Sequence, residues 1–284
     1  MTTDNEEVDV QTSRRGFLQL LAGGVLSAAL TGCAPGSSAL TVTFLDVGKA
    51  DAIVLSTAGY TIMIDTGTAK KATKVVDALN NLGVSAINEL ILTHFDQDHV
   101  GGAAAVLDNF SVDEVIATYE SKESDEVNAY HDAMKSHGIN VVEVRSETER
   151  VYDAVNYTII PPVRESYDKD TSNNSSLVVR VTFGTVSMLF AGDIQHERIE
   201  ELLASGKDLS ANLLKVPHHG KEEDDSAKFF EAASPMYAVI TSSKDDKESD
   251  VVVKELENCG ARVFLTRKGA VTAITDGNTL KVTQ

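Results

Sequence analysis

Between Thr93 and Gly102 the chain reads Thr93-His94-Phe95-Asp96-Gln97-Asp98-His99-Val100-Gly101-Gly102. Two imidazoles and two carboxylates, His94, Asp96, Asp98 and His99, thus fall within six residues. Imidazole nitrogen and carboxylate oxygen together are ligand chemistry for Zn²⁺, Mn²⁺ or Fe²⁺. The apolar run just before them, residues 90–92, has the pattern of a buried strand, and Gly101-Gly102 lets the backbone turn into a following helix. A strand end followed by a tight loop holds such donors rigidly. Two of the chain's seven histidines sit in this window, which argues against an incidental acidic loop.

The rest of the chain must supply the frame. Strand-like runs at 41–47, 52–57, 60–65, 90–93, 112–118, 141–144, 152–160, 176–183 and 186–190 end at Gly, Pro or polar clusters. Further ones follow at 213–216, 237–241 and 262–265, and a last hairpin turns at Asp276-Gly277-Asn278. Helical spacing of apolar residues predicts helices over 70–82, 102–110, 124–137, 197–203, 225–233 and 251–259, and the polar stretch 164–175 reads as a loop. The order is neither a regular βαβ repeat nor an all-β meander. An α/β (α+β) fold, with two mixed β-sheets packed face to face and flanked by helices, fits best.

Composition bounds the function. With 42% hydrophobic and 24% charged residues among 284, the chain can bury a core and is not broadly disordered. No apolar run reaches the roughly 18–20 residues that span a bilayer. The net charge of −18 repels phosphate backbones at long range, and there is no Trp to stack bases. A polyanionic substrate must therefore be met by local cations, for which a bound metal is the obvious candidate.

The first 33 residues read as an address. Ser13-Arg14-Arg15-Gly16-Phe17-Leu18 precedes a short apolar stretch that ends in Leu30-Thr31-Gly32-Cys33. The arginine pair resembles a twin-arginine export signal, and Leu-Thr-Gly-Cys resembles the lipobox at which bacterial prolipoproteins are cleaved and the cysteine diacylated. This organisation implies a signal peptide over 1–33, lipidation of Cys33, a tether over 34–39 and a catalytic domain over 40–284. The protein is then expected as an exported cell-surface lipoprotein on the outer face of the cytoplasmic membrane. Cys259 is the other cysteine, so no disulfide is expected within the mature chain.

The His94-x-Asp96-x-Asp98-His99 motif resembles the His-x-His-x-Asp-His signature of the metallo-β-lactamase superfamily, with aspartate in the second position. Four stretches occur in the family's order: Phe44 to Ala52, Ile64-Asp65-Thr66-Gly67, Leu189-Phe190-Ala191-Gly192-Asp193, and Leu214-Lys215-Val216-Pro217-His218-His219-Gly220. With the aspartate variant, they resemble most the ComEC-like hydrolase domain of DNA-uptake proteins. The resemblance implies a four-layer αββα sandwich and two divalent metal ions, Zn²⁺ or Mn²⁺. It assigns His94 and Asp96 to one ion, Asp98 and His99 to the other, and Asp193 as a bridge. His218 or His219 completes the second site; His218 is taken as the ligand and His219 as the proton donor, with Asp98 and Asp193 in the catalytic set. The superfamily's further histidine is missing from 171–176, so Asn173 or Asn174 is expected there as an oxygen donor or substrate contact. Lys49 and Lys221 stand where the family pattern has neutral polar residues, and would add positive charge near the metals. Asp46 and Asp51 are expected to support the metal loop, Asp65 to face the same end of the sheet, and His131, His137 and His196 to lie at the surface.

Three functions follow from this resemblance. The first is an exported binuclear phosphodiesterase or nuclease that uses a metal-bound hydroxide on an anionic ester, with single-stranded DNA as one candidate. The second is a hydrolase of another ester class, a cell-wall phosphocholine esterase or a lactonase. The third is a binding lipoprotein with a degenerate site. No obligate protein partner is evident.

Overall fold

The computed structural model describes residues 39–284 apart from residue 153. The twin-arginine motif, Cys33 and nearly all of the expected tether lie outside the described residues. Six strands build most of one sheet: β1 Leu40–Phe44, β2 Ile53–Ser56, β3 Thr61–Ile64, β4 Ala86–Leu92, β5 Ser111–Ala117 and β6 Val141–Glu143. Seven strands form the second: β7 Thr148–Tyr152, β8 Val155–Ile160, β9 Val178–Phe183, β10 Val186–Phe190, β11 Leu213–Lys215, β12 Tyr237–Ile240 and β13 Arg262–Leu265. The chain then returns to the first sheet as β14 Val271–Thr275 and β15 Leu280–Thr283.

The strand orders are β15-β14-β1-β2-β3-β4-β5-β6 and β13-β12-β11-β10-β9-β8-β7. Both sheets are mixed: β3, β4, β5 and β6 run parallel, as do β10 to β13, and the other pairings are antiparallel. Between the sheets lies an apolar layer in which Phe44 of β1 stacks on Phe190 of β10 at 6.0 Å between ring centroids. Helices cover both outer faces. On the first sheet these are α1 Ala72–Asn81, α3 Ala103–Asn109 and α4 Asp125–His137, with the one-turn α2 Gln97–Val100 leading into them. On the second they are α6 His196–Ala204, α7 Ser226–Ala233 and α8 Asp250–Asn258. The result is the four-layer αββα sandwich expected from the motifs.

Two local readings change. The run 152–160 is not one strand: Tyr152 ends β7 and β8 begins at Val155, the two forming a hairpin over 148–160 in which Tyr152 faces Val155. Strand β7 is the edge of its sheet, and none of its Thr-Glu-Arg-Val-Tyr residues is buried, so it carries no apolar signature. Inside the expected loop sits α5 Thr171–Asn174, a single turn capped by the Asp170 side chain and too short for periodicity to reveal.

Candidate metal centre

The chemistry-bearing residues converge at the carboxyl ends of parallel strands, where the side chains beyond each strand face a common crevice. Asp65 follows β3, the His94–His99 loop follows β4, Asp193 follows β10, His219 follows β11 and Thr241 follows β12. Four of them form one tight group: single donor atoms of Asp98, His99, Asp193 and His219 lie within 4.8 Å of one another. Oδ2 of Asp193 is 3.0 Å from His219 Nε2 and 3.3 Å from His99 Nε2, and Asp98 Oδ2 is 3.3 Å from His219 Nε2.

Each imidazole is aimed by its other nitrogen. His99 Nδ1 lies 2.8 Å from Asp65 Oδ2, and Asp65 also accepts from the Thr93 amide and hydroxyl. His219 Nδ1 meets Thr241 Oγ1 at 2.9 Å, while Thr241 donates its hydroxyl proton to Asp51. In both cases a carboxylate at the far end places the ring proton on Nδ1 and leaves the Nε2 lone pair facing the group. His94 Nδ1 meets the Ser176 hydroxyl at 3.2 Å, and that same hydroxyl accepts from the Asp193 amide. The Nε2 atoms of His94, His99 and His219 are all buried and make no hydrogen bond. The orphaned nitrogens of His99 and His219 beside the Asp98 and Asp193 carboxylates fit a divalent cation, which would satisfy them.

The electrostatics agree. Burial opposes it, but the charges of Asp193 and Asp65 hold His99 well above the ordinary imidazole range, and Asp193 raises His219 in the same way. His94, without a close carboxylate, is pulled down to about 4 by burial and by the His99 charge. Burial opposes the Asp193 charge, yet His219, His99 and Lys215 hold its carboxyl well below the usual range. The site is therefore a block of fixed charges that a metal ion would replace proton for cation.

Several expected residues stand differently. Of the adjacent histidines it is His219, not His218, that enters the donor group; His218 Nδ1 instead lies 2.9 Å from Glu223 Oε1. Both residues have left-handed backbones, φ 48° and 53°, and their side chains diverge. His94 packs against His99 at 4.0 Å between ring centroids but is outside the four-donor group, and Asp96 is bound by Lys122 and the Ser172 hydroxyl. The Asn173 amide bonds Asp170 and the Asn174 amide bonds the Lys169 carbonyl, while Asn174 Oδ1 accepts from Gln195. Both asparagines thus brace the segment beside the site, and Ser176 is the residue of this stretch that touches His94. Lys49 and Lys221 lie side by side: Lys49 pulls the Lys221 amine down, and the Asp98 charge reaches Lys49. Lys49 also pairs with Asp246 at 3.3 Å. His131 and His137 pair with exposed carboxylates, while His196, about a third exposed, lies 3.1 Å from the buried Asp225.

Glycines next to the donors let the backbone pass. Gly192 (φ +54°) lies so close to Ser176 that an added Cβ would sit 2.7 Å from the serine Cβ, and one at Gly220 (φ +75°) would sit 2.9 Å from Ile240. Sequence reasoning missed Lys215, which is fully buried at the end of β11 and paired with Asp51 and Asp193. Its signal was a lone charge inside the otherwise apolar run Leu213-Leu214-Lys215-Val216.

A family model described as the metallo-beta-lactamase superfamily matches residues 45–241. ComE operon protein 3 of Bacillus subtilis (strain 168) is 29% identical over 176 residues, covering 61% of this chain and 22% of that protein. Competence protein ComA of Neisseria gonorrhoeae is 31% identical over 205 residues, 71% of this chain and 27% of that protein. The chain spans about a quarter of the length of these relatives. Among solved structures, the metallo-beta-lactamase fold protein YhfI of Bacillus subtilis superposes with a TM-score of 0.54 at 11% identity, over 87% of this chain and 100% of that one. CmlA, a diiron β-hydroxylase from Streptomyces venezuelae, superposes with a TM-score of 0.52 at 14% identity, over 81% of this chain and 53% of that one. At these identities the likeness is one of fold, so the argument for chemistry rests on the donors themselves.

Proposed function

Because the chain belongs to the metallo-β-lactamase superfamily, we propose that it is a metal-dependent hydrolase of phosphodiesters. The observation that carries this reading is the four-donor group Asp98, His99, Asp193 and His219, with Lys49 and Lys221 beside it. These four residues would hold a divalent ion, Zn²⁺ or Mn²⁺, which would supply Lewis acidity and make water a stronger acid there. Lys49 and Lys221 would bind the anionic oxygens of the substrate. His218, held by Glu223 and outside the donor group, is the imidazole left to hand a proton to the leaving oxygen. A second ion would draw on His94, and Asp96 would have to leave Lys122 and Ser172 to join it; the four-donor site is read as the tighter of the two.

Charge distribution supports an anionic and extended substrate, single-stranded DNA being a candidate. In a chain of net charge −18, five cations, Lys71, Lys74, Lys244, Arg267 and Lys268, line one cleft of about 340 Å³. Gly48 lines it as well, so the cleft adjoins Lys49 and through it the metal site. The Arg14-Arg15 and Cys33 motifs support export and a lipid anchor; Cys33→Ser should then release the protein from the membrane fraction or leave its signal uncleaved.

The test compares a single-stranded oligonucleotide, a small chromogenic phosphodiester and a phosphocholine ester under identical metal conditions. Phosphodiester turnover that falls by roughly 10³-fold in Asp193→Ala supports the reading. Preference for the phosphocholine ester without phosphodiester cleavage moves the assignment to another ester class, and no turnover of any ester moves it to a binding protein.

A further inference from the structure

The end of β11 places an ammonium where its strand neighbours Leu213 and Leu214 have no exposed surface, and Lys215 has none either. A buried lysine persists only if its charge is matched. Here three oxygens surround Nζ: the Gly192 carbonyl at 2.8 Å, Asp193 Oδ1 at 3.2 Å and, in closer contact, Asp51 Oδ2. Each carboxylate gives the ammonium one oxygen and turns the other toward the imidazoles. Asp193 Oδ2 faces His99 and His219. Asp51 Oδ1 accepts the Thr241 proton, and the Thr241 oxygen meets His219 Nδ1. One cation thus fixes the rotation of a metal donor directly, and the ring of a second donor through Asp51 and Thr241.

We propose that Lys215 is a positioning residue of the metal centre, a fixed cation that orients Asp193 and Asp51 so that the donor group stands preformed before metal arrives. This rests on the metal-site reading above. Lys215 makes no contact with substrate in this role. Its ammonium holds Asp193 Oδ1 and so keeps Oδ2 turned toward His99 and His219, and it balances two buried carboxylates that would otherwise repel across the crevice. Without it, metal binding would have to do that ordering, and the affinity would fall.

The experiment uses the full chain. Lys215→Met keeps the length and removes the charge, and Lys215→Met/Asp51→Asn also removes one of the two carboxylates. Mn²⁺ and Zn²⁺ affinities are measured by competition with a chromogenic chelator, with far-UV circular dichroism and a thermal melt on the same samples. Lys215→Met should bind metal roughly 10–100-fold more weakly while folded. The double variant should regain thermal stability, because the charges balance again, yet remain weak in metal affinity. A folded Lys215→Met with wild-type affinity overturns the proposal, as does a double variant that regains affinity along with stability. Loss of fold in both variants would assign the ammonium to the core alone and overturn it too. Wild-type protein that binds neither ion would instead sink the metal reading itself, whatever the variants do.

Discussion

His218 and His219 follow one another in the chain and face different partners, Glu223 for the first and the Asp98–His99–Asp193 group for the second. Two consecutive residues at φ 48° and 53° are strained, at roughly 1–2 kcal/mol each, and the surrounding hydrogen bonds hold them there. The His218 amide is tied to the Gly192 carbonyl, and the Gly220 carbonyl accepts from Ser249. His219→Ala should weaken metal binding by roughly 100-fold or more, whereas His218→Ala should keep the metal and lose turnover. Metal content after dialysis, set beside phosphodiester kcat, separates the two roles. Comparable metal loss in both variants would contradict the assignment. The His94–His99 window was legible in the sequence because four donors in six residues carry their own signature. Which of two adjacent histidines turns inward was not, since that depends on backbone angles that no side-chain pattern encodes. Lys215 was hidden for another reason: a single charge in an apolar strand reads the same whether it marks an edge or a buried ion pair.

At the scale of elements, the loop bearing His219 leans on α8 and the turn after β13. Glu248 packs against Gly220, where an added Cβ would lie 3.0 Å from the Glu248 Cβ. Arg267 binds both Glu248 carboxylate oxygens at 2.8–3.1 Å, and Ser242 donates to one of them. Burial disfavours the Glu248 charge, but these bonds outweigh it and pull the carboxyl from 4.5 down to about 2. A depressed carboxyl stabilises the fold fully above its unfolded value and loses that contribution as pH falls through the folded one. The brace should therefore act at pH 4.5 and above and fade toward pH 2, with a size on the order of 3 kcal/mol. Thermal melts of metal-free wild type and Glu248→Gln should converge over that window and differ at neutral pH. Parallel curves throughout would mean that the pair carries no such weight. The alternation of strands and helices that builds this scaffold was readable from apolar spacing, whereas the exposed edge strand β7 and the one-turn α5 had no core face to reveal them.

Across the whole molecule, charge is the organising feature. In a chain of net charge −18, five cations share one cleft, and a polyanion would meet its most concentrated positive charge there and at Lys49 and Lys221. Lys74 and Arg267 are paired with Asp46 and Glu248, so the informative variant is Lys71→Glu/Lys244→Glu/Lys268→Glu. It should bind a labelled single-stranded oligonucleotide more weakly, and with a salt dependence shallower by about 0.7 for each phosphate that is no longer neutralised. Turnover of the small chromogenic phosphodiester should stay unchanged. Oligonucleotide binding equal to wild type would show that the cleft does not guide the strand.

The pairing of β1 with β14 sets a schedule for biosynthesis. Leu40 lies opposite Thr275, so the first described strand waits for nearly the last before its sheet can close. A nascent chain on the ribosome has the loop donors of β4 early but Asp193 and His219 late, and it exposes the unpaired side of β1 until β14 emerges. Such long-range closure makes folding slow and leaves the growing chain open to aggregation. A chain cut before β14 would hold every donor of the crevice yet leave one side of β1 without its partner strand, and it should aggregate more readily than the full chain.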